Sequence, residues 1–213
     1  MEALMPSNDD EPYVLDWEVD HLIDEDFDAN LIKFPTWENS LNLIPRKSVK
    51  LPKNIFFSSN FHTLDKSDYP YNSVRWPIMS QRMLDAIKSA GDFPHKEIPV
   101  TMLDDTVPSR KRYDESGAPK PSVSRGGYTA VEIGDTPGLV DPEKSEIVMN
   151  PATPHIVGDI EKLVLKRPKG GFPPLFRIAE YRVPLFISPE AKRKLEEAGV
   201  KGVEYVPVSE YSI

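Results

Sequence analysis

The sequence predicts an α+β protein: a short-stranded mixed sheet with few helices, and an internal duplication of one strand–helix–strand unit. Three observations carry this. One pattern is stated twice, in the run 77–100 (PIMSQRMLDAIKSAGDFPHKEIPV) and in the run 184–208 (PLFISPEAKRKLEEAGVKGVEYVPV). Elsewhere the apolar residues alternate over short stretches and show no long helical period. The 22 prolines in 213 residues divide the chain into short elements with irregular connections.

The repeated unit has a local physical reading. Ser80, Ala90, Gly91, Pro99 and Val100 fall on Ser188, Ala198, Gly199, Pro207 and Val208. Each serine stands where a helix N-cap belongs, and Pro189 follows at the first helical position, where a missing N–H costs nothing. Met83, Ile87 and Ala90 lie at i, i+4 and i+7, as do Ala191, Leu195 and Ala198, which gives each short helix one buried stripe. Gly91 and Gly199 sit where a left-handed C-cap would end the helix. Apolar runs flank the helices: 74–79 and 97–102 in the first unit, 181–187 and 203–208 in the second. Glu196 and Glu197 occupy a last turn, where the helix dipole disfavours acids, and read as a solvated face.

Taken in order, residues 1–11 read as a flexible lead. Tyr13–Val19 alternates, with Tyr13, Leu15, Trp17 and Val19 on one side and Asp16 and Glu18 on the other: a half-buried strand. The stretch 21–28 is acidic, with Leu22, Ile23 and Phe27 interspersed. A short strand is expected at 31–34, followed by a loop over 37–52, and 54–58 is a short apolar run. The polar, Pro- and Gly-rich stretch 104–127 reads as an exposed or mobile loop between the two units. A strand is expected at 128–133, turns over 135–154, and strands at 163–166 and 175–183. No clean linker separates two complete cores, so a single domain over 1–213 is expected.

Composition excludes several classes. With no run of eighteen apolar residues there is no expected membrane span. The N-terminus has neither a basic start nor an apolar stretch of signal length, so a cytoplasmic protein is expected. The absence of cysteine removes disulfides, thiolate metal sites and cysteine nucleophiles. The net charge of −8 is lopsided: residues 1–30 hold eleven of the 34 acids and none of the 26 Lys and Arg, so the remainder is slightly basic. Such a block is a solvated arm or a surface that draws a basic partner. There is no basic stripe for nucleic acid.

No local catalytic pattern stands out. His21, His62, His95 and His155 form no metal-binding pair at helical spacing, and no G-x-S-x-G elbow exists. Gly170-Gly171 precedes Phe172-Pro173-Pro174, which cannot open a phosphate-binding helix, and Gly126-Gly127 precedes a strand; both read as turns. Asp135-Thr136-Pro137-Gly138 also reads as a turn. The carboxylate pairs lie in polar runs. No catalytic, cofactor-binding or metal-binding residues are expected, and no cofactor.

The run 175–208 (LFRIAEYRVPLFISPEAKRKLEEAGVKGVEYVPV) resembles the C-terminal signature of a bacterial immunity-protein family. That family is named for a myxobacterial member and is encoded beside polymorphic or type VI secreted toxins. The matching positions are Pro184–Ser188, Ala191–Ala198, Gly202, Val203, Tyr205, Pro207 and Val208. The run 75–80 (RWPIMS) and the run 13–17 (YVLDW) are similar to it as well. The resemblance implies a small cytoplasmic protein that binds and neutralises a cognate toxin and has no catalytic residues of its own. On charge, the expected partner surface is the acidic segment, Asp24, Glu25, Asp26 and Asp28, beside Trp17 and Trp37. An enzyme whose residues assemble only in three dimensions, around His62, His95 or His155, and a scaffold or regulatory module are the alternatives. Self-association is left open.

Overall fold

A computed structural model describes residues 11–22, 26–32, 43, 53–151 and 153–212. Most of the expected lead, residues 33–34 of an expected strand, and nearly all of the expected loop 37–52 lie outside the described residues. The architecture is mixed α+β, with three helices, two mixed five-stranded sheets and a hairpin.

The chain runs β1 (Tyr13–Trp17), β2 (Asn30–Leu31), β3 (Ile55–Ser59), α1 (Phe61–Leu64), β4 (Ile78–Ser80), α2 (Gln81–Ser89), β5 (His95–Asp104) and β6 (Ser124–Ile133). It continues through β7 (Asp135–Thr136), β8 (Glu146–Asn150), β9 (Thr153–Lys162), β10 (Leu175–Ile178), β11 (Leu185–Ile187), α3 (Pro189–Glu197) and β12 (Val203–Pro207). One sheet has the order β12-β1-β11-β10-β7 and the other β2-β3-β5-β6-β4, while β8 and β9 form the hairpin.

Both copies of the sequence pattern fold as strand–helix–strand, and each unit is split by a strand from elsewhere. β4 and β5 are both antiparallel to β6, which lies between them. β11 and β12 are both antiparallel to β1, which lies between them. In each case the helix joins two parallel strands and leaves a slot that a third strand fills. α2 and α3 pack against each other. Their stripes, Met83, Leu84 and Ile87 from one helix and Ala191 and Leu195 from the other, enter one shared cluster with Leu15, Met79, Val131, Ile133, Leu185 and Ile187. Each fully buried Leu, Ile or Met contributes roughly 1.5–3 kcal/mol by leaving water.

The caps take the form that the sequence implies. Ser80 and Ser188 are extended residues whose hydroxyls accept from the N–H groups of Met83 and Ala191, each at 3.2 Å. Gly199 is left-handed at φ +62, but Gly91 lies at φ +139, outside that well. Ser80 differs from Ser188 in one respect: its hydroxyl also donates to the Asp68 carboxylate at 2.6 Å. Ser188→Ala is therefore expected to cost about 1 kcal/mol, the usual loss of a cap. Ser80→Ala is expected to cost about 1 kcal/mol more, because a second hydrogen bond goes with it. Chemical denaturation of the two variants checks the order; equal losses would show that the bond to Asp68 adds nothing.

Several expectations change. Tyr13, Leu15 and Trp17 face the helices as the alternation implies, but Val14 is buried on the opposite face beside Phe176 and Phe186, so β1 is covered on both sides. Val19 lies beyond the strand and is exposed. The expected turns over 135–154 contain β7 and β8, and the strand expected at 163–166 is only an isolated bridge between Val140 and Leu165. The strand expected over 175–183 stops at Ile178. The stretch 104–127 is mostly exposed but holds its own hydrogen bonds. Arg112 donates to the carbonyls of Val107 and Asp105, and the Asp114 carboxylate accepts from Ser116 and Ala118. Among the described residues no helix is long and apolar enough to cross a membrane.

Candidate functional site

A cleft of about 250 Å³ opens where β1 meets the loop before β4, the turn after β10 and the segment after β12. Leu15 and Leu185 are buried residues at its base. Trp17 stacks on Tyr69, with centroids 5.1 Å apart and planes at 6°, and meets Tyr71 at a tilt, 5.3 Å away. Tyr181 and Tyr211, 6.5 Å apart, are also in the lining. Val183, nearly half exposed, and Pro184 add an apolar lip.

Two arginines line the cleft. Arg177 projects from β10 and is 1% exposed, and its Nη1 donates to the carbonyls of Arg182 and Val183 at 2.6 and 2.7 Å. Those bonds fold the chain back after β10 and fix the turn that carries Tyr181 and Val183. Burial lowers the Arg177 pKa to about 10, while the nearby Tyr69 and Asp135 oppose the shift, so it remains a cation at neutral pH. Asp135 itself pairs with Arg182 at 2.6 Å. Burial raises Tyr69, and burial with the hydrogen bond to Tyr181 raises Tyr211, so both hydroxyls stay protonated.

Arg75 is the second cation. It is exposed, and its backbone is left-handed at φ +53. Asn72 holds that turn: its carbonyl accepts from Arg75 N–H at 2.9 Å, its side-chain oxygen accepts from Trp76 N–H, and its amide donates to the carbonyls of Pro70 and Trp76.

Of the six residues expected to form a partner surface, Trp17, Asp26 and Asp28 are among the described residues. Asp24, Glu25 and Trp37 lie outside the described residues. Asp26 is exposed, and Trp17 is half-buried in the cleft wall. Asp28 is a correction: it is 1% exposed and cannot serve as a surface contact. Its carboxylate meets His21 Nε2 at 2.6 Å and accepts from Tyr71 N–H at 2.9 Å, and its carbonyl accepts from the Ser59 hydroxyl. It ties the segment before β2 to β3 and to the loop that carries Tyr69. In an acidic run nothing in the sequence distinguishes this carboxylate from that of the exposed Asp26.

Sequence reasoning missed Arg75, Arg177, Tyr69, Tyr181 and Tyr211. Arg177 had a signal, a lone charge inside the apolar run LFRI, where a buried cation must find partners. His62 is exposed on α1, and His95 contacts the Phe93 carbonyl and Glu97, so neither lines the cleft. Among the described residues no three His, Asp or Glu gather as metal ligands. No known family model matches the chain. No curated protein is similar to it.

Proposed function

We propose that this protein is an immunity protein, which binds a secreted bacterial toxin in the cytoplasm and neutralises it by stoichiometric occupation rather than by chemistry. The observation that carries the reading is the position of Trp17. The strand resembling the family's N-terminal run places this tryptophan in an open cleft with Tyr69, Tyr181, Tyr211, Arg75 and Arg177. Trp, Tyr and Arg are the residue types in which protein interfaces concentrate their binding energy. The resemblance of residues 175–208 points to the same class of partner. The acidic segment, with Asp26 exposed next to β2, supplies long-range attraction for a basic toxin.

Co-expression with the product of the neighbouring gene tests the reading. Rescue of growth together with a stable complex supports it, and loss of both removes it. Within such a complex, reversing Asp24, Glu25 and Asp26 together to lysine is expected to weaken binding about tenfold or more at low salt, with a smaller effect at high salt. An affinity unchanged at low salt would take the acidic segment out of the interface. Asp28 is left out of that variant because a lysine there would be buried beside His21 and would test folding instead.

A further inference from the structure

The lining of the cleft is lopsided in charge as well as aromatic. Arg75 and Arg177 bring two positive charges to the lining against one acid, Asp16. The Asp16 carboxylate accepts from Trp17 N–H at 2.8 Å. Arg75 pairs with no carboxylate among the described residues, and a non-glycine residue at φ +53 is the kind of backbone outlier that gathers at ligand sites. Arg177 is held as a cation beneath the surface by two carbonyls. The Trp17 indole Nε1 is buried and has no hydrogen-bond acceptor among the described residues. An excess of positive charge in a lining that also holds apolar residues suits an anionic acceptor attached to something apolar.

We propose that the cleft binds a carboxylate borne on an apolar body, with Arg75 as the residue that reads the charge and Trp17 as part of the wall. The size fits. A cavity of about 150 Å³ takes benzene, so a cleft of about 250 Å³ has room for a ring-sized group and a carboxylate. Guanidinium is the side chain best matched to that anion, because its planar fork meets both oxygens. The assignment does not depend on the toxin reading, since it concerns the free chain. The same chemistry is offered by a small free acid and by a Glu or Asp next to an apolar residue on a protein.

The test is a titration of the full chain followed through its indole N–H resonances, with the Trp17 signal assigned from Trp17→Phe. The probes are phenylpropionate, phenylethylammonium, and the blocked dipeptides acetyl-Phe-Glu-amide and acetyl-Phe-Lys-amide. Phenylpropionate or the Glu dipeptide is expected to shift the Trp17 resonance saturably, and the tighter of the two names the source. The ammonium and the Lys dipeptide are expected to bind at least about tenfold more weakly. Arg75→Gln is expected to weaken the acid about tenfold, and Asp16→Asn to strengthen it, because the acid in the lining is neutralised. Arg75→Gly, which accepts φ +53 without strain, keeps the turn and is expected to match Arg75→Gln. Equal binding of acid and ammonium, no saturable shift, or unchanged binding in both folded Arg75 variants overturns the proposal. Failure here leaves the toxin complex to be judged by co-expression alone, and failure of co-expression leaves this titration unaffected.

Discussion

Gly202→Ala is expected to destabilise the protein by about 3 kcal/mol or more, the range of severe backbone and packing conflicts. Gly202 is left-handed at φ +74. A Cβ built there would stand 2.1 Å from the Ser67 hydroxyl oxygen, 2.7 Å from its Cβ and 2.9 Å from its Cα. The last contact is with backbone, so no rotamer change relieves it. Gly199 supplies the control. It is also left-handed, at φ +62, but a Cβ there would meet nothing within 4 Å. Gly199→Ala is therefore expected to cost only about 1 kcal/mol, the conformational term alone. Urea unfolding of the pair separates the two effects. Full recovery of Gly202→Ala by Ser67→Ala would show that only the hydroxyl, and not the backbone approach, matters.

Asp68, next to Ser67, is expected to give the second large effect. Its carboxylate accepts from the Ser80 hydroxyl, from Nε and Nη2 of Arg82 and from Lys201 N–H at 2.9 Å. Its backbone exchanges bonds with Lys201 and Ser80 as well. One side chain thus ties the cap of α2 to the turn after α3. Asp68→Ala is expected to cost about 2–4 kcal/mol, because Ser80 and Lys201 lose their partner in a largely buried place. The ion pair adds little to that figure, since the Arg82 side chain is half exposed and resolvates.

The same carboxylate has a pH signature. Burial pushes its pKa up, but the hydrogen bonds from Arg82, Ser80 and Lys201 and the charge of Arg82 outweigh this and hold it below the usual range. A group with a depressed folded pKa stabilises the fold fully above its unfolded value, about 3.9 for an aspartate. That contribution fades as the pH falls through the folded value. Asp68→Asn is expected to lower stability at neutral pH and to flatten part of the acid limb of the stability curve. An acid limb with the same slope as the parent would show that Asp68 does not titrate with folding.

What was legible in the sequence was local. Ser80 and Ser188 announce caps because a cap is decided within four residues, and the stripes of α2 and α3 follow from spacing on one helix. The sides of Tyr13, Leu15 and Trp17 are readable because a strand alternates. β8 was hidden because its ladder with β9 shifts register three times, which destroys the alternation, and prolines at 142, 151 and 154 imitate a turn-rich stretch. Val14 inside a second core could not be seen either, because its neighbours come from β10 and β11. The cleft is the extreme case. Its lining is drawn from residues 14–17, 69–77, 177–185 and 211, so only Trp17 and the lone charge of Arg177 carried a signal of their own. Asp28 and Asp26 show the other side of this: two acids in one run, one buried and one in water, separated only by a histidine and a tyrosine N–H that the fold delivers.

The slot filled by β1 has a consequence for how the molecule comes into being. β1 is made well before its two neighbours, β11 and β12, and just before it in the chain the Glu11 carboxylate meets Ser209, 198 residues away. During synthesis this apolar strand has no partner until the second unit has emerged, and its unpaired edges must stay soluble throughout. Contacts of such long range slow the search for the native state. Closure of that slot also assembles the cleft, because Trp17 comes from β1 and Leu185 from β11. The cleft therefore exists only in molecules that have completed this late step.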